Sequence, residues 1–229
     1  METQYTPVAD HALLVTLAED IRDDVHAAIV AFDQAIIQAK PLGVIEVVPA
    51  LVNLLVSFDP VVTDHIQVEA ALRTLHASAS PKAEQATKRT VQVCYEKPFD
   101  LDLDAVAKAC NLSRDAVIKA HLDGDYKVLM YGFVPGYAYL GGVDASIQVP
   151  RKLAAVRDIP AGCVMVAGTQ CLVTTLKMPT GWSIIGRSPT HILLNDPLRP
   201  FLFDVGDEVT FQRISLDTYN ELYAASNRE

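Results

Sequence analysis

Basic residues are scarce relative to acidic ones in this sequence. There are 19 Lys and Arg against 28 Asp and Glu, which gives a formal net charge of −9 and a pI near 5.1. A surface with that balance repels phosphate backbones and anionic lipid headgroups. The composition therefore argues against a nucleic-acid partner and against a role at a membrane surface.

Long apolar runs and paired cysteines are also missing. No stretch approaches the ~18 uninterrupted apolar residues of a membrane span. The amino-terminal segment Met1-Glu2-Thr3-Gln4 has neither the basic cluster nor the apolar run of a signal peptide. The four cysteines form no C-x-x-C pair, which is typical of reduced thiols and not of a disulfide framework or a zinc site. We expect a cytoplasmic protein without a bound metal.

The sequence also lacks the common catalytic signatures. It contains no G-x-x-x-x-G-K-[ST], no H-E-x-x-H, no G-x-S-x-G and no G-x-G-x-x-G. These absences argue against a P-loop nucleotide site, a zinc protease, an α/β-hydrolase and a dinucleotide-binding fold.

Glycine is nearly absent from the first half, where only Gly43 precedes Gly124. That half has the apolar spacing of strand, helix, strand, strand, helix, strand, the order of a split-βαβ or ferredoxin-like domain. The predicted strands cover 11–17, 44–48, 51–58 and 90–94, and the predicted helices cover 21–39 and 64–75. We predict an α+β protein whose ferredoxin-like domain spans residues 1–96.

The other ten glycines fall between Gly124 and Gly206. Two short helical patterns, 103–109 and 113–121, come first, and short apolar runs broken by Gly and Pro follow. Several short strands at near-regular spacing are typical of a sandwich or a closed barrel. We therefore predict a β-barrel domain over residues 97–229, with two short helices at its start and a helix near its end.

The segment from Tyr131 to Gly142 interleaves four glycines and a proline with aromatic residues. Glycines let a ligand approach main-chain N–H groups, and aromatic side chains can form the walls of a pocket. The candidate pocket loop consists of Gly132, Phe133, Pro135, Gly136 and Tyr137. The alternative is a structural crossover whose rings fill one end of the barrel.

Cationic and amide side chains stand near several turns of the second half. Arg151, Arg157, Gln170 and Arg187 could converge on a carboxylate or phosphate, since arginine forms bidentate hydrogen bonds with such anions. The alternative is ion pairing at the surface. His121 ends the second predicted helix and is a candidate acid–base group, or a side chain placed to favour the negative end of that helix.

The segment Gly132-Phe133-Val134-Pro135-Gly136-Tyr137-Ala138-Tyr139-Leu140-Gly141-Gly142 resembles the G-F-x-P-G-F-x-Y-L-G-G signature of one family. Its members are called the B-type subunit of 5-oxoprolinase, allophanate hydrolase subunit 1 or KipI. The similarity continues through Ile159-Pro160-Ala161-Gly162, through 181–189, where the sequence reads GWSIIGRSP, and through 203–209. The resemblance implies a ferredoxin-like domain followed by a cyclophilin-like barrel.

The resemblance also implies a function. In this family the protein acts with a C-type partner related to the carboxyltransferase part of urea carboxylase. A further hydrolase-like partner, the A-type protein, completes a complex that opens 5-oxoproline to glutamate at the expense of ATP. We expect a subunit that is inactive alone, with ATP bound by the assembled complex.

Two alternatives remain open at this point. One is a regulatory protein that inhibits a sensor histidine kinase, and the other is an amide hydrolase or carboxyltransferase subunit of an allophanate or urea pathway. Peptidyl-prolyl isomerase activity is disfavoured, because a cyclophilin-like fold alone supplies no active site.

Overall fold

The computed structural model describes residues 3–79 and 86–226. The chain forms two compact units, Met1–Gln85 and Ala86–Glu229. Their boundary lies earlier than the predicted one, which followed residue 96. In the described ranges, no helix has both the length and the apolar character needed to cross a membrane.

The first unit is a four-stranded antiparallel sheet with two helices. Its elements are β1 (Gln4–Ala9), β2 (Ala12–Thr16), α1 (Asp23–Ala39), β3 (Val44–Pro49), β4 (Asn53–Phe58) and α2 (His65–Ser78). The sheet order is β1-β2-β4-β3. The two predicted helices and the predicted strands at 11–17, 44–48 and 51–58 are therefore present, with shifted ends.

An apolar stripe on α1 makes the core of this unit. Val25, Ile29, Phe32 and Ile36 recur at helical spacing and are buried. Ile29, Phe32 and Ile36 pack with buried residues of the sheet such as Leu13 and Leu54. At the start of α2, the Asp64 side chain accepts a hydrogen bond of 2.9 Å from the main-chain N–H of Gln67, which caps the helix.

We predicted that residues 90–94 form the fourth strand of this sheet, and this prediction is wrong. The fourth strand comes from the amino-terminal segment. β1 occupies the edge position beside β2. The predicted fourth strand instead forms β5 (Lys88–Val93) of the second unit. It pairs in parallel with β13 (Glu208–Arg213), in register from Lys88 and Glu208 to Val93 and Arg213. That partner is distant in sequence, so no local pattern reveals which sheet the strand joins.

The second unit is built on a seven-stranded sheet that includes β5 and β13. Its other strands are β6 (Tyr126–Tyr131), β7 (Ala138–Gly141), β9 (Cys163–Ala167), β10 (Gln170–Val173) and β12 (Ser183–Arg187). The sheet order is β12-β9-β10-β7-β6-β13-β5. A bridge between Cys94 and Arg187 connects the two ends of the sheet, which makes a nearly closed barrel.

Three helices and a small ribbon complete this unit. The helices are α3 (Leu103–Ala109), α4 (Arg114–Leu122) and α5 (Leu216–Ser226). β8 (Val156–Ile159) and β11 (Met178–Thr180) form a separate two-stranded ribbon. The two predicted short helices before the barrel and the predicted closing helix are therefore present.

Alternate residues of the barrel strands face two different apolar clusters, as side chains of a strand must. Val164 and Val166 of β9 belong to the inner core, together with Val93, Leu140 and Ile185. The intervening residues of β9 face the other way, into an outer core that includes side chains of β8 and β11. The outer core consists of Tyr137, Ile159, Cys163, Met165, Ala167, Leu172, Met178, Trp182 and Ile184.

Candidate functional site

The glycine–aromatic segment forms a tight loop between β6 and β7. The N–H of Tyr137 donates to the carbonyl of Val134 at 3.1 Å, and the N–H of Gly132 donates to the carbonyl of Tyr137 at 3.2 Å. Phe133 and Gly136 both have positive φ angles, 73° and 70°. The left-handed conformation at Gly136 explains why glycine stands there.

The rings of this loop pack in a row along the outer core. Ring centroids are 5.5 Å apart from Phe133 to Tyr137, 5.4 Å from Tyr137 to Tyr139 and 6.0 Å from Tyr139 to Trp182. Tyr137 is buried, whereas Phe133 is 69% exposed. The predicted pocket wall is therefore only partly present, because Tyr137 is a core side chain and Phe133 faces solvent.

A cavity of about 290 Å³ lies next to this loop, beyond the residues that Pro135 and Gly136 contact. It is formed by the turn before β9, the segment after β10, the end of β12 with the residues that follow, and one residue of α5. The lining residues are Ala161, Gly162, Thr174, Thr175, Arg187, Ser188, Pro189, Thr190, His191, Ile192, Leu193 and Tyr223. This cavity is our candidate site, because it contains one of the predicted anchors, Arg187.

The glycine–aromatic loop supports the wall of this cavity from behind. The hydroxyl of Thr175 donates to the carbonyl of Pro135 at 2.8 Å. A Cβ on Gly136 would lie 2.6 Å from a methyl group of Leu193. Pro135 and Gly136 are therefore positioning residues for the cavity and do not line it.

Arg187 is held rigidly. Its main chain exchanges two hydrogen bonds with Cys94, of 2.9 and 2.8 Å. Its side-chain Nε donates to the carbonyl of Ala161 at 3.3 Å. The guanidinium carbon lies 5.4 Å from the ring centroid of Phe99 and 6.0 Å from that of Tyr223. Among the described residues, its terminal nitrogens have no hydrogen-bond or ion-pair partner, so these donors remain available to an anion.

The hydroxyl groups of the cavity order the turns around Arg187. Ser188 accepts a hydrogen bond of 3.0 Å from the N–H of Thr190, and Thr190 accepts one of 3.2 Å from the N–H of Gln92. The hydroxyl of Thr174 donates to the carbonyl of Pro160 at 2.9 Å. Ser188 and Thr190 thus each keep a hydroxyl proton that can be donated to a ligand.

The other three predicted anchors do not join Arg187. Gln170 pairs with Ala167 at one end of β9, and Arg187 pairs with Cys163 at the other end. Four residues of strand separate these positions by about 13 Å. Arg157 is exposed on β8, and the guanidinium of Arg151 lies 5.5 Å from the ring centroid of Trp182. Of the four predicted anchors, only Arg187 is among the described residues that line the cavity, so the structure does not bring the four together there.

His121 lies in the inner core and not at a surface. Its Nδ1 is 2.8 Å from the hydroxyl of Tyr95, and its Nε2 is 3.4 Å from Sγ of Cys171. The side chain is fully buried, and burial lowers its pKa to about 3. The histidine is therefore neutral near pH 7 and has no route to a ligand, which corrects the acid–base prediction.

Sequence reasoning missed two aromatic residues that contribute to the site. Phe99 and Tyr223 lie near opposite ends of the second unit in sequence, yet both contact the Arg187 guanidinium. No motif marks either residue, because the closure of the barrel and the docking of α5 bring them together. Within residues 3–79 and 86–226, no group of His, Cys, Asp or Glu could hold a metal ion.

The fold and this site can be compared with known proteins. The family model described as carboxyltransferase domain, subdomain C and D, matches residues 3–203. A protein from Bacillus subtilis (strain 168), named as the B-type subunit of 5-oxoprolinase, is 35% identical over 236 residues, which cover 98% of each chain.

Solved structures agree with these matches. The chain superposes on TTHA0988 with a TM-score of 0.79 at 29% identity, covering 90% of this chain and 40% of that one. The chain thus spans about two fifths of the length of that solved protein. The urea carboxylase of Kluyveromyces lactis gives a TM-score of 0.75 at 15% identity, covering 96% of this chain and 22% of that one, which shows a shared fold.

The resemblance inferred from the glycine–aromatic signature is confirmed by these matches, as is the predicted α+β fold class. The matches cover most of the chain in the family model and nearly all of it in the B. subtilis relative. The chain therefore belongs to the carboxyltransferase subdomain C and D family, which includes proteins named as B-type subunits of 5-oxoprolinase.

Proposed function

We propose that this protein is the B-type subunit of a 5-oxoprolinase-like complex, which opens a cyclic amide to an amino acid. The support is the relative of that name, which aligns with 98% of this chain over 98% of its own length. The observation from the structure is Arg187, a cation fixed in a cavity that is lined in part by the family-like segments 159–162 and 181–189. The names of the relatives favour this function over kinase inhibition and over an allophanate or urea pathway.

The chemistry gives the cavity a part in the reaction. A five-membered lactam is an unactivated amide, so its carbonyl accumulates negative charge as the ring opens. Rigid N–H and O–H donors stabilise developing charge best where water is excluded. The guanidinium of Arg187 and the hydroxyls of Ser188 and Thr190 are fixed donors that can hold an anionic group of the substrate, which positions the lactam for the groups that act on its carbonyl.

ATP would supply the driving force for ring opening in such a complex. The Arg187 cavity does not fit that nucleotide. A triphosphate carries several negative charges, whereas Arg187 is the only Lys or Arg among the described lining residues. We therefore propose that ATP binds to another part of the assembled complex.

We propose two partners for this chain in the cytoplasm: a carboxyltransferase-related C-type protein and a hydrolase-like A-type protein. The family description names subdomains C and D, and TTHA0988 extends well beyond the region that this chain matches. Both facts suit a protein that works with further subdomains, whether fused or separate. This chain would then be inactive alone.

Reconstitution tests the proposal. The chain is expressed together with the two partner proteins from its own genome, and glutamate release from 5-oxoproline is measured with and without ATP. We expect release only with all three proteins and ATP. Release that is unchanged when this chain is omitted, or no release from the complete set, would contradict the proposal.

Two substitutions address the anchors within that assay. Arg187→Ala removes the cation from the cavity, and Arg151→Ala removes a cation that contacts Trp182 instead. We expect a large loss of turnover for Arg187→Ala and a smaller change for Arg151→Ala. Full turnover by the Arg187→Ala complex would exclude the cavity as part of the active site.

A further inference from the structure

We propose that the Arg187 cavity is the subsite for the carboxylate of a small lactam acid, with Tyr223 of α5 as its outer wall. This proposal rests on the proposed function and deepens it, because it names the part of the substrate that this chain binds.

The first support is the preorganisation of the guanidinium. Arg187 contacts the rings of Phe99 and Tyr223, and cation–π contacts of this kind hold the side chain in place. Tyr219 connects those two rings, since its centroid lies 4.4 Å from that of Phe99 and 5.8 Å from that of Tyr223. A planar guanidinium fixed in this way can present parallel N–H groups to a carboxylate.

The second support is the charge of the surroundings. No Asp or Glu occurs among the described residues that line the cavity. The protein as a whole carries a formal charge of −9, yet no acidic side chain in the described part of the chain forms an ion pair with Arg187. A carboxylate is the simplest ligand that restores local neutrality, and Ser188 and Thr190 can donate to its second oxygen.

The third support is the size and composition of the cavity. About 290 Å³ lies at the lower limit of pockets for drug-sized ligands, ~300 Å³. Pro189, Ile192 and Leu193 supply apolar surface next to the cation. A compact ring with one carboxylate matches this combination better than an extended or multiply charged ligand does.

The test compares two lactams that differ only in the carboxylate. The reconstituted complex is assayed with 5-oxoproline and with pyrrolidin-2-one, which lacks that group, in the natural protein and in Arg187→Gln. Where pyrrolidin-2-one is opened too slowly to measure, its inhibition constant against 5-oxoproline replaces kcat/KM. We expect a preference for 5-oxoproline on the order of 10- to 100-fold in the natural protein, which collapses toward equality in Arg187→Gln.

The matched control is Arg213→Gln, which removes the same charge from a half-exposed surface pair with Asp115. It should keep the natural preference. An Arg187→Gln complex that loses activity equally on both lactams would overturn the proposal, because Arg187 would then act on the ring-opening step or on the fold. An unchanged preference would overturn it as well.

A direct binding measurement separates this proposal from the proposed function. Chemical shifts of the purified chain are followed while 5-oxoproline or pyrrolidin-2-one is added. Carboxylate-dependent shifts around the cavity, lost in Arg187→Gln, support the subsite even if the complex releases no glutamate. Absence of carboxylate-dependent binding by both the chain and its complex overturns the subsite, whatever the complex does with other substrates.

Discussion

The hydroxyl of Thr175 donates a hydrogen bond of 2.8 Å to the main-chain carbonyl of Pro135. This bond joins the glycine–aromatic loop to the wall of the Arg187 cavity, although the two residues lie in separate parts of the chain. The loop that carries the family signature therefore acts on the cavity through a contact and not by lining it. The contribution of that hydrogen bond to the free energy of unfolding can be measured.

Thr175→Val keeps the shape of the side chain and removes the hydroxyl. We expect the free energy of unfolding to fall by about 1 kcal/mol, the usual contribution of one such hydrogen bond. Urea unfolding followed by the fluorescence of Trp182, the only tryptophan, reports the second unit. Thr74→Val is the control, because it removes a hydroxyl-to-carbonyl hydrogen bond from α2 of the first unit. It should leave the urea midpoint of the Trp182 fluorescence transition unchanged. Identical transitions for Thr175→Val and the natural protein would show that the bond adds nothing.

Gly136→Ala tests the packing of the loop against Leu193. The added methyl group meets a positive φ angle and a side-chain atom 2.6 Å away. Gly168→Ala is the matched control, since Gly168 also has a positive φ angle but has open space around the new Cβ. We expect Gly168→Ala to cost about 1 kcal/mol of unfolding free energy and Gly136→Ala about 1–3 kcal/mol more. Equal costs in the urea assay would mean that Leu193 moves aside freely.

His121 makes the second unit sensitive to acid. Burial lowers the pKa of His121 from the ordinary 6.5 to about 3. Between these pH values the histidine is therefore protonated in the unfolded chain and neutral in the folded chain. Stability should therefore fall as the pH drops from 6.5 toward 3, by up to about 1.4 kcal/mol per pH unit.

His121→Gln removes this titration. We expect the variant to be less stable at pH 7, because it loses core contacts, but to show a shallower decline with acid in the Trp182 assay. Thr175→Val, which lowers the stability of the same unit without changing a titratable group, is the control and should keep the natural slope. If the free energy of unfolding depends on pH in the same way for His121→Gln and the natural protein, His121 is not a buried neutral histidine.

Asp33 gives the first unit the opposite pH dependence. Burial raises the pKa of its carboxyl from 3.8 to about 6, so the folded chain retains a proton that the unfolded chain loses in that window. Stability should fall as the pH rises from 3.8 to 6, and at pH 7 the buried charge should cost about 3 kcal/mol. Its Oδ1 has no hydrogen-bond partner within the described part of the chain.

Asp33→Asn should therefore stabilise the first unit at pH 7 and have little effect near pH 3.5. Circular dichroism follows the unfolding of both units, whereas the fluorescence of Trp182 follows only the second unit, because the first unit contains no tryptophan. The unfolding of the first unit is therefore obtained as the difference between the two signals. Asp23→Asn in the first turn of α1 is the control, and it should bring no gain because Asp23 is exposed. The prediction is contradicted if Asp33→Asn does not raise the free energy of unfolding of the first unit at pH 7.

Local sequence patterns predicted most individual elements of the fold but not all of their partners. The apolar spacing of residues 21–39 and 64–75 indicated α1 and α2, because one face of each helix is buried. β1 was missed because its exposed residues include Pro7 and show no apolar alternation. The partner of β5 was missed because β13 lies at the far end of the second unit.

The candidate site was less predictable from sequence than the fold was. Arg187 was identified because an arginine beside glycine and proline turns is suited to binding anions. Arg151, Arg157 and Gln170 share that local character, yet their directions depend on strand register and on the β8–β11 ribbon. Phe99 and Tyr223 carry no local signal, since only the assembled barrel places them against the guanidinium.

The parallel pairing of β5 with β13 has a consequence for how the chain folds during synthesis. All strands of the first unit lie within residues 4–58, so its sheet can form while the rest of the chain is still being translated. β5 leaves the ribosome soon afterwards but must wait for residues 208–213 before its parallel partner exists. Long-range pairing of this kind folds slowly. Nascent chains that stop before residue 208 should therefore expose the apolar side of β5 to chaperones, while their first unit is already folded.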